Sequence, residues 1–162
     1  MIIKTIVNFL SNEECEQFIS LINKNNQKNT VVDDITYGLK IHESRTSSGC
    51  FFNNTEPFIC DIVERMSKYL NIDSKRIESL QGQKYEVGQF FKPHFDYIFS
   101  NIEYHTIKQA GNREWTLLLY LNDNFEGGQT GFPKLNYEVK PRKGMALLFQ
   151  NMENGEIGRA HV

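Results

Sequence analysis

The sequence predicts an α+β fold, mainly β: a sandwich of jelly-roll type with two N-terminal helices packed on one sheet. Three observations carry this. Both stretches of helical periodicity fall within the first 70 residues. From residue 77 onward the apolar pattern breaks into short runs separated by Gly and Pro. The 12 Phe and 7 Tyr suit a pleated, half-buried surface. Helices followed by a succession of short strands fit a layered sandwich in which strands distant in sequence become neighbours. A chain of 162 residues fits one domain. It can bury roughly 70% of its unfolded surface without staples.

The elements follow in order. Residues 2–9 are an apolar run and predict a strand. Ser11 with Glu14 three residues on forms a capping box, and Phe18, Ile19, Leu21 and Ile22 carry helical spacing, so a helix is expected over 12–24. Its acidic first turn suits the helix dipole. Residues 31–37 predict a strand. Residues 38–54, including Arg45-Thr46-Ser47-Ser48, read by composition as a surface loop. Pro57 fits the first turn of a second helix over 55–70. Ile59, Ile62, Val63, Met66 and Leu70 would be its buried stripe, and Asn71 and Asp73 its end. Residues 79–87 alternate loosely and stop at Gly88. Residues 98–112 form a long loop, a candidate lid together with 38–54. Residues 115–121 fit a buried strand, and Glu126-Gly127-Gly128-Gln129-Thr130 a turn. Residues 137–139 and 145–149 predict strands, Asn154-Gly155 a tight turn, and 158–162 a last strand.

Composition excludes several functions. A net charge of -2 and a pI near 6.1 give no basic footprint for nucleic acid. No apolar run approaches the roughly 20 residues of a membrane span. The N-terminus lacks a signal-peptide cleavage pattern and meets acidic residues early. Cys15, Cys50 and Cys60 are odd in number and widely spaced, which suits neither a disulfide framework nor a zinc knuckle. Three reduced thiols in a cytoplasmic protein are expected.

The chemistry concentrates in residues 81–97, QGQKYEVGQFFKPHFDY. His94 and Asp96 are two apart, and on a strand such residues point the same way. An imidazole and a carboxylate facing one centre are two thirds of the 2-His-1-carboxylate set that holds non-haem Fe(II) with positions open. His161 is the candidate second histidine. The pair alone arises by chance in about one such chain in five, so by itself it also fits a surface histidine beside a solvated aspartate. His42 and His105 lie in polar loops and read as surface residues.

Over roughly residues 45–161 the chain resembles the prolyl 4-hydroxylase branch of the Fe(II)/2-oxoglutarate-dependent dioxygenases. The resemblance is carried by Arg45-Thr46-Ser47-Ser48, Leu80-Gln81, Tyr85, Gly88-Gln89 and Pro93-His94-Phe95-Asp96-Tyr97. It continues through Leu119-Tyr120-Leu121-Asn122-Asp123, the run from Glu126 to Pro133, and Pro141 to Phe149. It implies a double-stranded β-helix, with Fe(II) bound by His94, Asp96 and His161. It implies 2-oxoglutarate and O2 as cosubstrates and ascorbate as reductant. Tyr85, nine residues before His94, matches the tyrosine that reaches the far carboxylate of 2-oxoglutarate, and Thr130 matches a threonine beside it. Arg113 is a candidate on the substrate side. No catalytic residue beyond the metal ligands is implied, because metal and cosubstrate perform the hard step.

The resemblance implies hydroxylation of an unactivated C–H, foremost in peptidyl proline, with a peptide or protein as substrate. The sequence departs from the family at its C-terminus. Arg159-Ala160 and Val162 flank His161 where relatives have Ser-Leu and Ala-Gly, and the lysine about ten residues further on has no counterpart. One dioxygenase domain over 1–162, lacking its C-terminal strand or strands, is therefore expected. The same chemistry on another amino acid or a small metabolite, or an impaired binding module, are the alternatives.

Overall fold

The computed structural model describes residues 1–28, 31–33, 38–40, 44–97, 111–153 and 156–157. In chain order the elements are β1 (Ile3–Ile6), α1 (Asn12–Asn25), β2 (Gln27–Lys28), β3 (Val31–Asp33), β4 (Gly38–Lys40) and β5 (Ser48–Phe51). There follow α2 (Pro57–Leu70), β6 (Gln81–Lys84), β7 (Trp115–Leu119), β8 (Thr130–Phe132), β9 (Tyr137–Val139), β10 (Ala146–Gln150), β11 (Met152–Glu153) and β12 (Glu156–Ile157). Every strand pairing among them is antiparallel.

Both helices start and stop where local chemistry dictates. At α1 the Glu14 N–H donates to the Ser11 hydroxyl at 3.2 Å, and the Ser11 N–H donates to the Glu14 carboxylate at 2.8 Å, a reciprocal capping box. The face of Cys15, Phe18 and Ile22 is buried. Pro57 opens α2, whose Ile59, Ile62 and Met66 are buried while Val63 and Leu70 are half-buried. Asn71 closes α2 in the left-handed conformation, φ 54°. Arg65 of α2 locks the two helices together: it donates to both oxygens of Glu14 and to the carbonyl of Phe9.

One sheet has the order β1-β10-β7, and another has β2-β5-β6. The alternation of the first separates two cores. Ile6, Ala146, Leu117 and Leu119 face the helices and pack with Cys15, Phe18, Ile22, Ile59, Ile62, Met66 and Phe52. Leu147, Phe149 and Leu118 face the other way, toward Phe132 and Val139 of the β8-β9 hairpin. Thr116 pairs with Phe149 and Leu118 with Leu147, so Thr116, Leu118 and, by continuing alternation, Tyr120 share this second face. That face carries the candidate site.

The composition of residues 38–54 misleads. Two strands lie within it: β4 pairs with β3, and β5 pairs with β2 and β6. Ser47 and Gly49 are buried, the former 2% exposed. Within it Arg45 Nε donates to Ser47 Oγ at 3.2 Å, so part of this polarity is bonded inside the protein. The turn expected at 126–130 is present, with Gly127 and Gly128 at φ 84° and 66°. The second half of the strand expected at 31–37, the 98–112 lid up to residue 110, the Asn154-Gly155 turn, the strand at 158–162, His42, His105 and His161 lie outside the described residues. No helix among the described residues is long and apolar enough to cross a membrane.

Candidate metal centre

The segment that delivers His94 is held by the one that delivers Arg45. Thr46 N–H donates to the Phe90 carbonyl at 3.0 Å, Phe90 N–H to the Thr46 hydroxyl at 2.8 Å, and Lys92 N–H to the Ser44 carbonyl at 2.7 Å. Arg45 and Phe91 bridge antiparallel. Beyond Phe91 the chain bends at Pro93, which has no N–H to extend a ladder, returns to a single β-bridge at His94 and bends again at Asp96, so the His-x-Asp pair lies on a broken rather than a regular strand. The two side chains converge all the same, with His94 Nε2 3.3 Å from Asp96 Oδ1 and each side chain 23% exposed.

His94 Nδ1 lies 2.8 Å from the Lys92 carbonyl, which can only accept. Nδ1 therefore carries a proton, and Nε2 faces a carboxylate oxygen, through its own proton when the ring is charged and through its lone pair when the ring is neutral. Two lone-pair groups facing each other at this distance need a proton or a cation. Neighbouring corners of an octahedron with bonds of roughly 2.1 Å lie about 3 Å apart. The donor set and its spacing fit a divalent metal.

Asp96 is braced on its other side. Its Oδ2 accepts the Thr116 hydroxyl at 2.6 Å, and Thr116 is in turn held by Asn151, 1% exposed. Burial pushes the Asp96 carboxyl up, but the hydrogen bonds of His94 and Thr116 and the charges of His94 and Arg113 outweigh it and hold it below the ordinary carboxylate value. Arg113 is clamped by both oxygens of Glu78, at 2.7 and 2.9 Å, and its Nη1 reaches the Asp96 carbonyl at 3.5 Å. His94, Asp96 and Arg113 are thus brought together.

Tyr85 lies against Arg45 and Ser47. Burial raises its phenol above the ordinary value, opposed by hydrogen bonds from Ser47 and Arg45 and by the Arg45 charge. The guanidinium of Arg45 sits over the Phe91 ring, 4.5 Å from its centroid. Thr130, fully buried, is 2.7 Å from the Tyr120 hydroxyl, and burial pushes the Tyr120 phenol up to about 12. Thr116 and Tyr120 are four residues apart on one face, roughly 13 Å at strand rise, so the Asp96 brace and the Tyr120–Thr130 pair mark two ends of the same surface. Among the described contacts none joins Tyr85 to Thr130.

Comparison with known proteins decides the family: a model of the 2OG-Fe(II) oxygenase superfamily matches residues 80–161, which is 82 of the chain's 162. The chain belongs to this superfamily. Prolyl 4-hydroxylase 5 of Arabidopsis thaliana is 39% identical over 165 residues, covering 90% of this chain and 56% of that protein. Probable prolyl 4-hydroxylase 3 of the same plant is 41% identical with the same coverage. The chain thus spans about half the length of the curated relatives it matches. Among solved structures, the viral collagen prolyl hydroxylase of Paramecium Bursaria Chlorella virus-1, in complex with 2OG, superposes with a TM-score of 0.69 at 26% identity, over 99% of this chain and 87% of that one. A Pseudomonas putida prolyl-4-hydroxylase at 16% identity, with a TM-score of 0.66, shares the fold over 99% of this chain and 84% of that one.

In this chain, sequence reasoning gave no site role to Thr116, Asn151, Glu78, Phe91 or Tyr120. A signal was available for two of them. Thr116 interrupts an apolar strand run, and Asn151 follows one directly, where an uncharged polar residue needs a buried partner. Glu78 pairs with Arg113 across 35 residues, and no local pattern announces it.

Proposed function

We propose that this oxygenase chain is a prolyl 4-hydroxylase: an Fe(II)- and 2-oxoglutarate-dependent dioxygenase that hydroxylates an unactivated C–H of peptidyl proline, built on a double-stranded β-helix. Family membership and the relatives' names support the class. The observation that carries the reading is the facing of His94 Nε2 and Asp96 Oδ1 at 3.3 Å with a proton of the ring committed to Nδ1. His94 and Asp96, with His161 as third ligand, would hold Fe(II). When bound, metal and 2-oxoglutarate supply oxidative decarboxylation coupled to insertion of one oxygen atom from O2 into the C–H, with ascorbate keeping the metal reduced.

The chain's residues supply orientation. Lys92 fixes the imidazole tautomer through its carbonyl, as ligating histidines require. Tyr85 and Thr130 are the candidates for the cosubstrate. Both offer hydroxyls, and both stand in buried surroundings where a hydrogen bond to a carboxylate is strong. Arg113, held by Glu78 beside Asp96, is the candidate for the substrate side. No side chain has to act as acid or base in the oxidative step.

The test is incubation with Fe(II), 2-oxoglutarate, ascorbate and a proline-rich peptide, read by mass. A gain of one oxygen on proline supports the reading. Succinate release with free amino acids or small metabolites but unmodified peptide moves the substrate class. Failure to bind 2-oxoglutarate in calorimetry points to a binding module without turnover.

A further inference from the structure

We propose that Thr116 and Asn151 are positioning residues that hold Asp96 so that only Oδ1 is presented to the metal. The inference rests on the reading of His94 and Asp96 as metal ligands. The hydrogen-bond donors decide the direction of the relay. Asn151 Nδ2 lies 3.2 Å from the Arg113 carbonyl and 3.0 Å from Thr116 Oγ1. A carbonyl accepts only, so the amide nitrogen must face it, which fixes the orientation of the Asn151 amide. The same nitrogen then donates its second proton to Thr116. The Asn151 carbonyl oxygen is also 3.3 Å from that hydroxyl, but the carboxylate is nearer and charged. The single Thr116 proton therefore goes to Asp96 Oδ2, at 2.6 Å.

Thr116 rises from β7, and Asn151 directly follows β10. Thr116 lies on β7 opposite Phe149 of β10, and Asn151 stands two residues beyond Phe149, so the two side chains share one sheet face. The Asn151 N–H is itself bonded to the Glu114 carbonyl at 2.8 Å, which closes the sheet at this end. With Oδ2 occupied, the carboxylate can neither rotate nor chelate through both oxygens. Oδ1 is left toward His94 and would be the one carboxylate oxygen offered to a metal. A carboxylate without this brace would rotate or turn bidentate.

The test uses the purified chain with Co(II) alone, without 2-oxoglutarate or peptide, read by calorimetry and by the visible Co(II) absorption band. Thr116→Val keeps the shape and removes the hydroxyl; Thr116→Ser restores it. The expected result is a loss of about 10- to 100-fold in Co(II) affinity and an altered band for Thr116→Val, with Thr116→Ser close to wild type on both. A Thr116→Val protein that binds Co(II) as wild type does, with the same band, overturns the positioning role and leaves the metal reading standing. Wild-type protein that takes up no Co(II) overturns the metal reading and this inference with it. Should Thr116→Val fail to fold, Asn151→Ser, whose short hydroxyl cannot span both the Arg113 carbonyl and Thr116, gives the same comparison. Weakened binding supports the relay, and unchanged binding overturns it.

Discussion

Phe91 lies flat against the imidazole of His94, with ring centroids 3.6 Å apart and planes 16° from parallel. The same Phe91 ring carries the Arg45 guanidinium, which is also bonded to Ser47. The orientation of His94 is therefore set twice, by the Lys92 carbonyl in its plane and by Phe91 on its face. Replacing Phe91 with Leu removes the flat partner. An aromatic pair contributes about 0.5–1.5 kcal/mol beyond its area. The expected outcome is about a 2- to 10-fold weaker Mn(II) affinity by calorimetry, with Phe91→Tyr near wild type.

Arg113 is held away from free rotation by a two-pronged pair with Glu78. Neither residue touches His94 in the described contacts, and Arg113 is the residue proposed for the substrate side, so a change at Glu78 tests that proposal. Glu78→Gln loosens the fork without removing Arg113. A rise of roughly 3- to 10-fold in peptide KM is expected, with Mn(II) affinity within about 2-fold of wild type. Initial rates against peptide concentration, alongside calorimetry, check it.

The Arg65–Glu14 pair makes stability depend on pH. Hydrogen bonding from Arg65, opposed by burial, lowers the Glu14 carboxyl below its ordinary 4.5. A group whose folded value is depressed contributes stability that is present above the unfolded value and disappears as pH falls through the folded one. Glu14→Gln keeps a side chain able to close the capping box but loses the charge. Wild type should therefore melt higher than Glu14→Gln above about pH 5, and the two should converge as pH is lowered below the folded value. Thermal melts across that range decide it.

Much of this architecture was legible from local chemistry. Ser11 with Glu14, Pro57 and Asn71 mark helix ends by side-chain groups that act within a few residues, and the apolar spacing of α1 and α2 reports their buried faces directly. His94 and Asp96 were visible by type and separation, although the segment that carries them is a β-bridge between bends at Pro93 and Asp96 rather than a regular strand. The partners that orient them were not legible. Thr116 is 20 residues from Asp96, Asn151 is 35 from Thr116, and Arg45 bridges to Phe91 across the chain, so sheet pairing alone brings them together. Residues 38–54 were misread as loop because the pairing of β4 with β3 and of β5 with β2 and β6 is not visible in a polar composition.

Two glycines, Gly82 and Gly88, separate steric from conformational need. On β6, a Cβ at Gly82 would lie 2.4 and 2.8 Å from Ile22 side-chain atoms and 2.8 Å from the Phe52 ring. Ile22 and Phe52 are both in the helix-side core, so neither can yield without disturbing α1. Overpacking of this kind costs about 1–3 kcal/mol. For a chain of this size that corresponds to a fall in Tm of roughly 2–12 °C. Gly88 has open space around it but a φ of +82°. Alanine there costs about 1–2 kcal/mol from the backbone alone, and Asn, which visits the left-handed region routinely, costs less. Gly82→Ala should therefore be rescued in part by Ile22→Ala, which removes the clashing atoms, whereas Gly88→Ala should be indifferent to Ile22→Ala and eased by changing Ala to Asn. Thermal melts of the four single variants and of the two Ile22→Ala double variants distinguish the two origins.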